Sequence, residues 1–292
     1  MWKFIRYELK YWIKTPMIWI FMFIYALFTF FATASDNVVI GGVAGSMFKN
    51  APYQIQNYYE VMSIVCLLMT TAFMNATANR DFEYDMHAFI FSSPIKKRDY
   101  FFGKFIGAAI ISVIPAIGIS IGTLLAPMLA PIFDMAPAER FGEIYWSAHL
   151  FGLIDFAIPN VIISGVLIFA LAILFRNSIV SFVGSMLMLV LYIVSSSYSD
   201  NIHTEWLANL VDPFGVRPYD TLTKYFTADE KNHTVVTLTG DLLMNRLFWL
   251  AISLLILWLI YRRFSFNIKN EKVVKEVKAK KAEVTPVLSQ QV

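Results

Sequence analysis

Six stretches of this 292-residue chain, 15 to 23 residues long, contain no Asp, Glu, Lys, Arg or His. One charge at the centre of a bilayer costs on the order of 3 kcal/mol, and about 20 apolar residues in a helix cross the hydrocarbon core. The stretches, residues 15–35, 61–79, 105–125, 156–175, 177–199 and 247–261, therefore predict six transmembrane helices. The sixth is short. It reaches membrane length only by extending back through Asn245 and Arg246 toward Leu242, with the Arg246 side chain snorkelling to the surface. Composition agrees, with 58% hydrophobic and 15% charged residues where soluble domains carry about 25% charged. A soluble two-domain enzyme, a disordered chain and a disulfide scaffold are thereby excluded. Cys66 is the only cysteine and lies within the second stretch, so there is no intrachain disulfide. The expected fold class is all-α: a polytopic membrane protein of six transmembrane helices.

Orientation follows from the basic residues, which are retained on the cytoplasmic side. With the N-terminus inside, 18 of the 24 Lys and Arg residues fall in inside segments and six outside. Inside are Lys3, Arg6, Lys10 and Lys14, then Arg80, Lys96, Lys97, Arg98 and Lys104, then Arg176 and eight residues from Arg262 onward. Both termini are therefore expected in the cytoplasm, in keeping with an even number of spans. The net charge of +3 conceals a separation into an inside total of +10 and an outside total of −7. Such basicity reports membrane orientation, and nucleic acid is excluded as a partner. The first span has a basic leader and ends in Ala32-Thr33-Ala34, the pattern of a signal-peptide cleavage site after Ala34. Its leader is long and patterned and its apolar run is longer than a signal peptide needs, so it reads as an uncleaved anchor.

The chain divides into an interfacial helix over residues 1–16, a six-span domain over 17–263, and a basic disordered tail or linker over 264–292. In the first of these, Lys3, Arg6, Lys10 and Lys14 recur at helical spacing, with Trp2, Ile5, Leu9, Trp12 and Ile13 largely opposite. That pattern suits a helix lying on membrane lipid before Pro16 turns the chain into the first span. Between the second and third spans, residues 80–104 pass from an acidic, aromatic half through Ser92-Ser93-Pro94 into a basic half. Arg80, Asp81, Glu83, Phe89, Ile90, Phe91, Pro94, Lys96, Lys97 and Arg98 make this segment too polar for lipid and too apolar for an idle loop. It suits a short helix docking in the groove of a cytoplasmic partner, or an interfacial loop packed on its own spans. Gly103 and Gly107, then Gly118 and Gly122, have the spacing that lets membrane helices approach closely. Pro115 and Pro159 are expected to kink the third and fourth spans. Outside, residues 200–246 form the longest connection, with a semi-apolar run at 202–211 suited to a re-entrant or interfacial helix.

Several chemistries are unsupported. His87, His149, His203 and His233 stand far apart with no metal-ligand spacing, so no metal site is expected. No phosphate-binding loop occurs: Gly103-Lys104 lacks both the upstream glycine and the following hydroxyl residue. Ion-coupled carriers place ionisable groups in mid-membrane. Here the candidate is Asp155, expected near the outer end of the fourth span and in reach of water, which disfavours a proton- or sodium-driven carrier. Asn75 and Asn160 read as interhelical hydrogen bonds or pathway lining.

These features together resemble the ABC-2 type permeases, the membrane halves of ATP-binding-cassette exporters. The local resemblance lies in Arg80-Asp81-Phe82-Glu83, Phe91-Ser92-Ser93-Pro94-Ile95 and Gly103-Lys104. A closer likeness is to the N-terminal membrane half of bacterial permeases fused to a zinc aminopeptidase. It rests on Ala34-Ser35-Asp36-Asn37-Val38, Ile40-Gly41-Gly42, Asn50-Ala51-Pro52, Pro159-Asn160 and Val190-Leu191-Tyr192, and covers residues 1 to about 266. The chain ends at Val292 with neither a second membrane half nor a peptidase, so it reads as a standalone half or a piece of such a protein, and no peptidase activity is carried over. The resemblance implies an exporter subunit in the bacterial inner membrane, paired with a second permease half, in a homodimer or with a homologous half. It also implies an ABC ATPase subunit docked on residues 80–104 that holds ATP and Mg, leaving this chain without a cofactor. A non-transporting membrane scaffold or assembly factor is the alternative.

Overall fold

The structure is a computed structural model that describes residues 1–40, 46–198 and 203–266. Gly41 and Gly42, the first residues of the outer segment and the tail from 267 to 292 lie outside the described residues. Among the described residues the chain is helical, with six helices long and apolar enough to cross a membrane. Helix α1 (Trp2–Ile13) precedes the first span, α2 (Pro16–Ala34). The second span is α3 (Pro52–Glu83), followed by a short helix, α4 (His87–Ser92). The third combines α5 (Lys97–Val113) and α6 (Ile117–Leu129), and the fourth α7 (Trp146–Gly152) and α8 (Ile158–Phe175). Helix α9 (Ser178–Tyr198) is the fifth span. Three short helices, α10 (Glu205–Val211), α11 (Val216–Thr223) and α12 (Ala228–His233), then lead to the sixth, α13 (Gly240–Arg263).

Prolines set much of this punctuation. Pro16 and Pro52 occupy the first turns of α2 and α3, where the missing N–H costs nothing. Pro115 turns Ile114–Ala116 into a 3₁₀ step between α5 and α6. Ahead of Pro159, residues Leu153–Ala157 widen into a π turn between α7 and α8, where the proline denies the helix one of its bonds. Arg176, left-handed at φ 49°, separates α8 from α9, and the Asn177 carboxamide accepts the Ile179 N–H to start α9.

Glycines permit the closest crossings. A Cβ at Gly103 or Gly107 would collide with Phe4 or Glu8 of α1, and one at Gly118 or Gly122 with the carbonyls of Met22 or Ala26 in α2. All four therefore pack elements of this one chain against each other. At the centre runs α3, two-thirds buried over its most apolar window. Asn75 joins it to α9 through Ser178 (2.9 Å) and Ser181 (2.9 Å), and Asn160 of α8 reaches Ser63 of α3 at 2.5 Å.

Charge-free stretches understate the helices at several ends. The second span begins at Pro52, nine residues before the charge-free run, and so takes Glu60 into its interior at 1% exposure. Arg80, Asp81 and Glu83 complete its last turn instead of opening a loop. The third span starts at Lys97, with Pro127 inside α6; the fourth starts at Trp146 and absorbs His149 and Asp155. Two expectations are corrected outright. Arg246 does not snorkel: it is 1% exposed and donates to Asn160 Oδ1 (2.8 Å) and the Phe214 carbonyl (2.6 Å). Asp155 does not reach water but is 0% exposed. Insertion cost ends a span only where a charge faces lipid, and these charges face protein.

The long connection before α13 folds back on it. Asn245 donates to the carbonyls of Asn209 and Asp212, both at 2.7 Å, and Trp249 to that of Leu210 at 3.1 Å. Thr227 and Glu230 form a reciprocal capping box at the start of α12.

Candidate coupling site

On the face that carries both ends of the described chain, α1 lies against α5 and α3. Its inward side differs from the spacing-based expectation, since Ile5 and Trp12 are buried whereas Trp2 and Ile13 are exposed. Between the two buried residues sits Glu8, 0% exposed, on the same face by the three- and four-residue spacing of a helix. An acid in that position requires a partner, and two arrive from separate spans. Arg80 Nη2 of α3 meets Glu8 Oε1 at 2.6 Å, and Lys104 Nζ of α5 stands 3.9 Å from the same oxygen.

Lys104 links this pair to a second acid. Its ammonium lies 2.5 Å from Asp81 Oδ2 and donates to the Thr77 carbonyl at 3.0 Å, while Tyr100 O–H donates to Asp81 at 2.8 Å. Two cations and two carboxylates thus balance inside the protein, in the paired and hydrogen-bonded form that burial of charge requires. Arg80 also lies over the Tyr11 ring, 4.0 Å from its centre, and Trp12 Nε1 donates to Thr77 Oγ1 at 3.1 Å. Burial pushes the Glu8 carboxyl above its ordinary range, against the opposing pull of Lys104 and Arg80.

Helix α4 rests on this frame and buries none of its own residues. Asp85, left-handed at φ 52°, turns the chain out of α3 into it. Phe82 stacks on His87 at 5.0 Å, and the Arg176 guanidinium lies over the Phe82 ring, 4.3 Å from its centre, tying the turn between α8 and α9 to the end of α3. Phe91 stacks on Phe266 at 4.6 Å and meets Tyr100 edge-on at 5.4 Å; Tyr100 stacks on Phe264 at 5.9 Å. The fold thus continues past the sixth span through two residues assigned from sequence to the tail.

The residues singled out from sequence separate into two groups. Arg80 and Asp81 belong to the buried frame. Glu83, Phe89, Pro94, Lys96 and Arg98 are exposed, and Ile90, Phe91 and Lys97 are half-buried. Lys97 Nζ lies 4.6 Å over the Tyr261 ring, and Asp99 meets the N-terminal ammonium at 3.3 Å. Phe89 is 72% exposed, and Tyr84 and Met86, close by in the sequence, are also exposed. Sequence reasoning missed Glu8, Tyr100 and Lys104 as members of the frame. The signal for Glu8 was present, as the single acid in a basic helix.

A family model described as "ABC-2 family transporter protein" matches residues 4–195, from α1 through most of the fifth span. The chain belongs to this family. No curated protein matches it. It is therefore the membrane component of a transporter, a multi-pass permease, and the matched region includes α1, the charged frame and α4.

Proposed function

We propose that the permease is the membrane-spanning subunit of an ATP-driven exporter, and that a separate ABC ATPase subunit docks on α4. The observation that carries this reading is an exposed aromatic helix seated on a rigid, charge-balanced frame. Helix α4 offers Phe89 outward while Phe91 is held by Tyr100 and Phe266. Beneath it, a cavity of about 420 Å³ lined by Phe4, Tyr7, Ile90, Ile95 and Lys104 leaves room for displacement. A push on α4 is delivered through Tyr100 and Asp81 to α5 and α3 together, and through Arg80 and Glu8 to α1. Discrete rearrangement of packed spans then alternates access to the two sides.

ATP and Mg are held by the partner in this reading, and the chain itself binds neither. A second permease half completes the pathway; α9 and α13, only 28% and 22% buried over their apolar windows, offer the surfaces for it. The positive-inside bias supports placing α1 and α4 in the cytoplasm of a bacterium, with the spans in its inner membrane. The test is Phe89→Asp with Ile90→Asp and Phe91→Asp, read by co-purification of the ATPase. Association is expected to fall at least about tenfold, corresponding to 1.4 kcal/mol or more, with Phe89→Asp alone giving most of the loss. Undiminished association would refute the docking assignment.

A further inference from the structure

A second buried charge cluster lies at the other end of the bundle. Glu60 of α3, Asp155 of the π turn and Arg246 of α13 sit at similar depths, roughly 9–14 Å in from the outer ends of their spans at 1.5 Å per residue. Arg246 gives its two terminal nitrogens to Asn160 and to the Phe214 carbonyl, and its guanidinium fills the space where Gly215, at φ 79°, has no Cβ. Among the described residues its hydrogen-bond partners are that amide and that carbonyl and no carboxylate, although the charges of Asp212, Asp155 and Glu60 all act on it.

The carboxylates are unequally provided for. Asp212 accepts the N–H groups of Phe214 and Arg217, both at 2.8 Å, and Asp220 pairs with Arg217 at 3.6 Å. Both oxygens of Glu60 and both of Asp155 have no hydrogen-bond partner among the described residues, at 1% and 0% exposure. Arg246 and Arg217 balance Asp212 and Asp220, which leaves two acids in excess. No group of His, Cys, Asp and Glu among the described residues converges to hold a metal. A buried carboxyl without a donor or a counter-ion in contact is accommodated by carrying a proton.

We propose that Glu60 and Asp155 are proton-binding sites of the permease, each holding a proton while Arg246 is engaged by Asn160 and Phe214 and releasing it when Arg246 turns to that carboxylate. In the exchange the carboxyl O–H bond breaks, the proton leaves to water on the outer side, and the guanidinium keeps its own protons as it forms the ion pair. Release of Arg246 requires movement of the Phe214 carbonyl, which belongs to the connection between α10 and α11. Proton binding is thereby tied to the position of the outer segment. Groups facing Glu60 are Asp220, Asp212, Arg246 and Arg217, with the phenols Tyr53, Tyr192 and Tyr219; Arg246 is the charged group that acts on Asp155.

This inference stands apart from the ATPase assignment and is tested on the permease alone. Dicyclohexylcarbodiimide, a lipophilic reagent that attacks protonated carboxyls, is applied to the wild-type chain in lipid nanodiscs across a pH series, and adducts are mapped by peptide mass spectrometry. Adducts on both Glu60 and Asp155 at neutral pH, lost as the pH is raised, are expected. Infrared spectra of the same samples then show carboxylic-acid C=O bands that shift in D2O, one component disappearing in Glu60→Gln and another in Asp155→Asn. Wild-type protein with no such band at neutral pH overturns the proposal whether or not the variants fold. Bands unchanged in both folded variants overturn it equally.

Discussion

Two buried clusters, one at each end of the bundle, use the same residue types in opposite ways. At the terminal face Glu8, Arg80, Asp81 and Lys104 touch one another, cation to acid, from three different helices. At the outer face Arg246 is held by an amide and a carbonyl, while Glu60 and Asp155 keep four oxygens without hydrogen-bond partners among the described residues. Contact makes the first cluster a lock, because moving any one helix separates charges that have no water to return to. Lack of contact leaves the second with unused acceptors, which the proposed turn of the Arg246 guanidinium would fill one at a time. A transporter needs both: a part that carries force without yielding and a part that has two arrangements of similar free energy.

The contrast breaks most sharply at Arg80. Arg80→Ala leaves Glu8 buried beside Lys104 alone and is expected to cost about 3–5 kcal/mol, the usual penalty for stripping one partner from a buried pair. Thermal unfolding in detergent reads it, and the double variant Arg80→Ala with Glu8→Ala recovers much of the loss. Absence of that recovery would show that the frame is held by packing and not by charge. Arg246→Ala comes next, at about 1–3 kcal/mol, because it removes no contacting ion pair and leaves unpaired only the Asn160 carboxamide oxygen and part of the Phe214 carbonyl. Its effect concentrates in α10 and α11, where amide hydrogen exchange should accelerate while α1 stays protected.

How legible each cluster is in the sequence follows from the same contrast. Arg80 and Asp81 stand out because they flank a charge-free span, and the span count and the break at Pro115 follow from composition and proline placement, whereas the structure decides between the two roles open to Asn75 by bonding it to Ser178 and Ser181. Charge-free counting leaves Glu60 outside its span and gives Arg246 a snorkelling side chain, for one physical reason. Hydropathy treats every charge as if it faced lipid, so a span that buries an acid against protein is trimmed to exclude it. Glu8 was hidden differently: a helical spacing places it on the inward face, but only the arrival of Arg80 and Lys104 from other spans makes that face habitable. Sequence shows which side of a helix is apolar, whereas the pairing of charges across helices is a property of the assembled bundle.

Glu60→Gln sharpens the comparison from the other side. The amide is nearly isosteric with a carboxylic acid and carries no charge, so its cost is expected to stay below about 1 kcal/mol, the size of one neutral hydrogen bond. A loss like that of Arg80→Ala would mean that Glu60 is ionised and paired in the folded chain, and the two clusters would then be alike.

The smallest expected effect concerns pH. Burial raises Glu8 above its ordinary value of 4.5 and raises Asp212 above 3.8, so in both regions the folded chain binds protons more tightly than the unfolded one. Between the ordinary and the raised values the native state therefore holds the extra proton, and stability falls as pH rises through that window and is flat above it. This sign is opposite to that of an exposed acid such as Asp36, whose carboxyl the Lys49 ammonium holds below its ordinary range. Glu8→Gln should flatten the acid-side slope of unfolding temperature against pH without removing it, since Asp212 contributes with the same sign. A slope left unchanged would show that the pull of Lys104 and Arg80 on Glu8 fully offsets its burial, and the lock would then be tighter than its geometry alone implies.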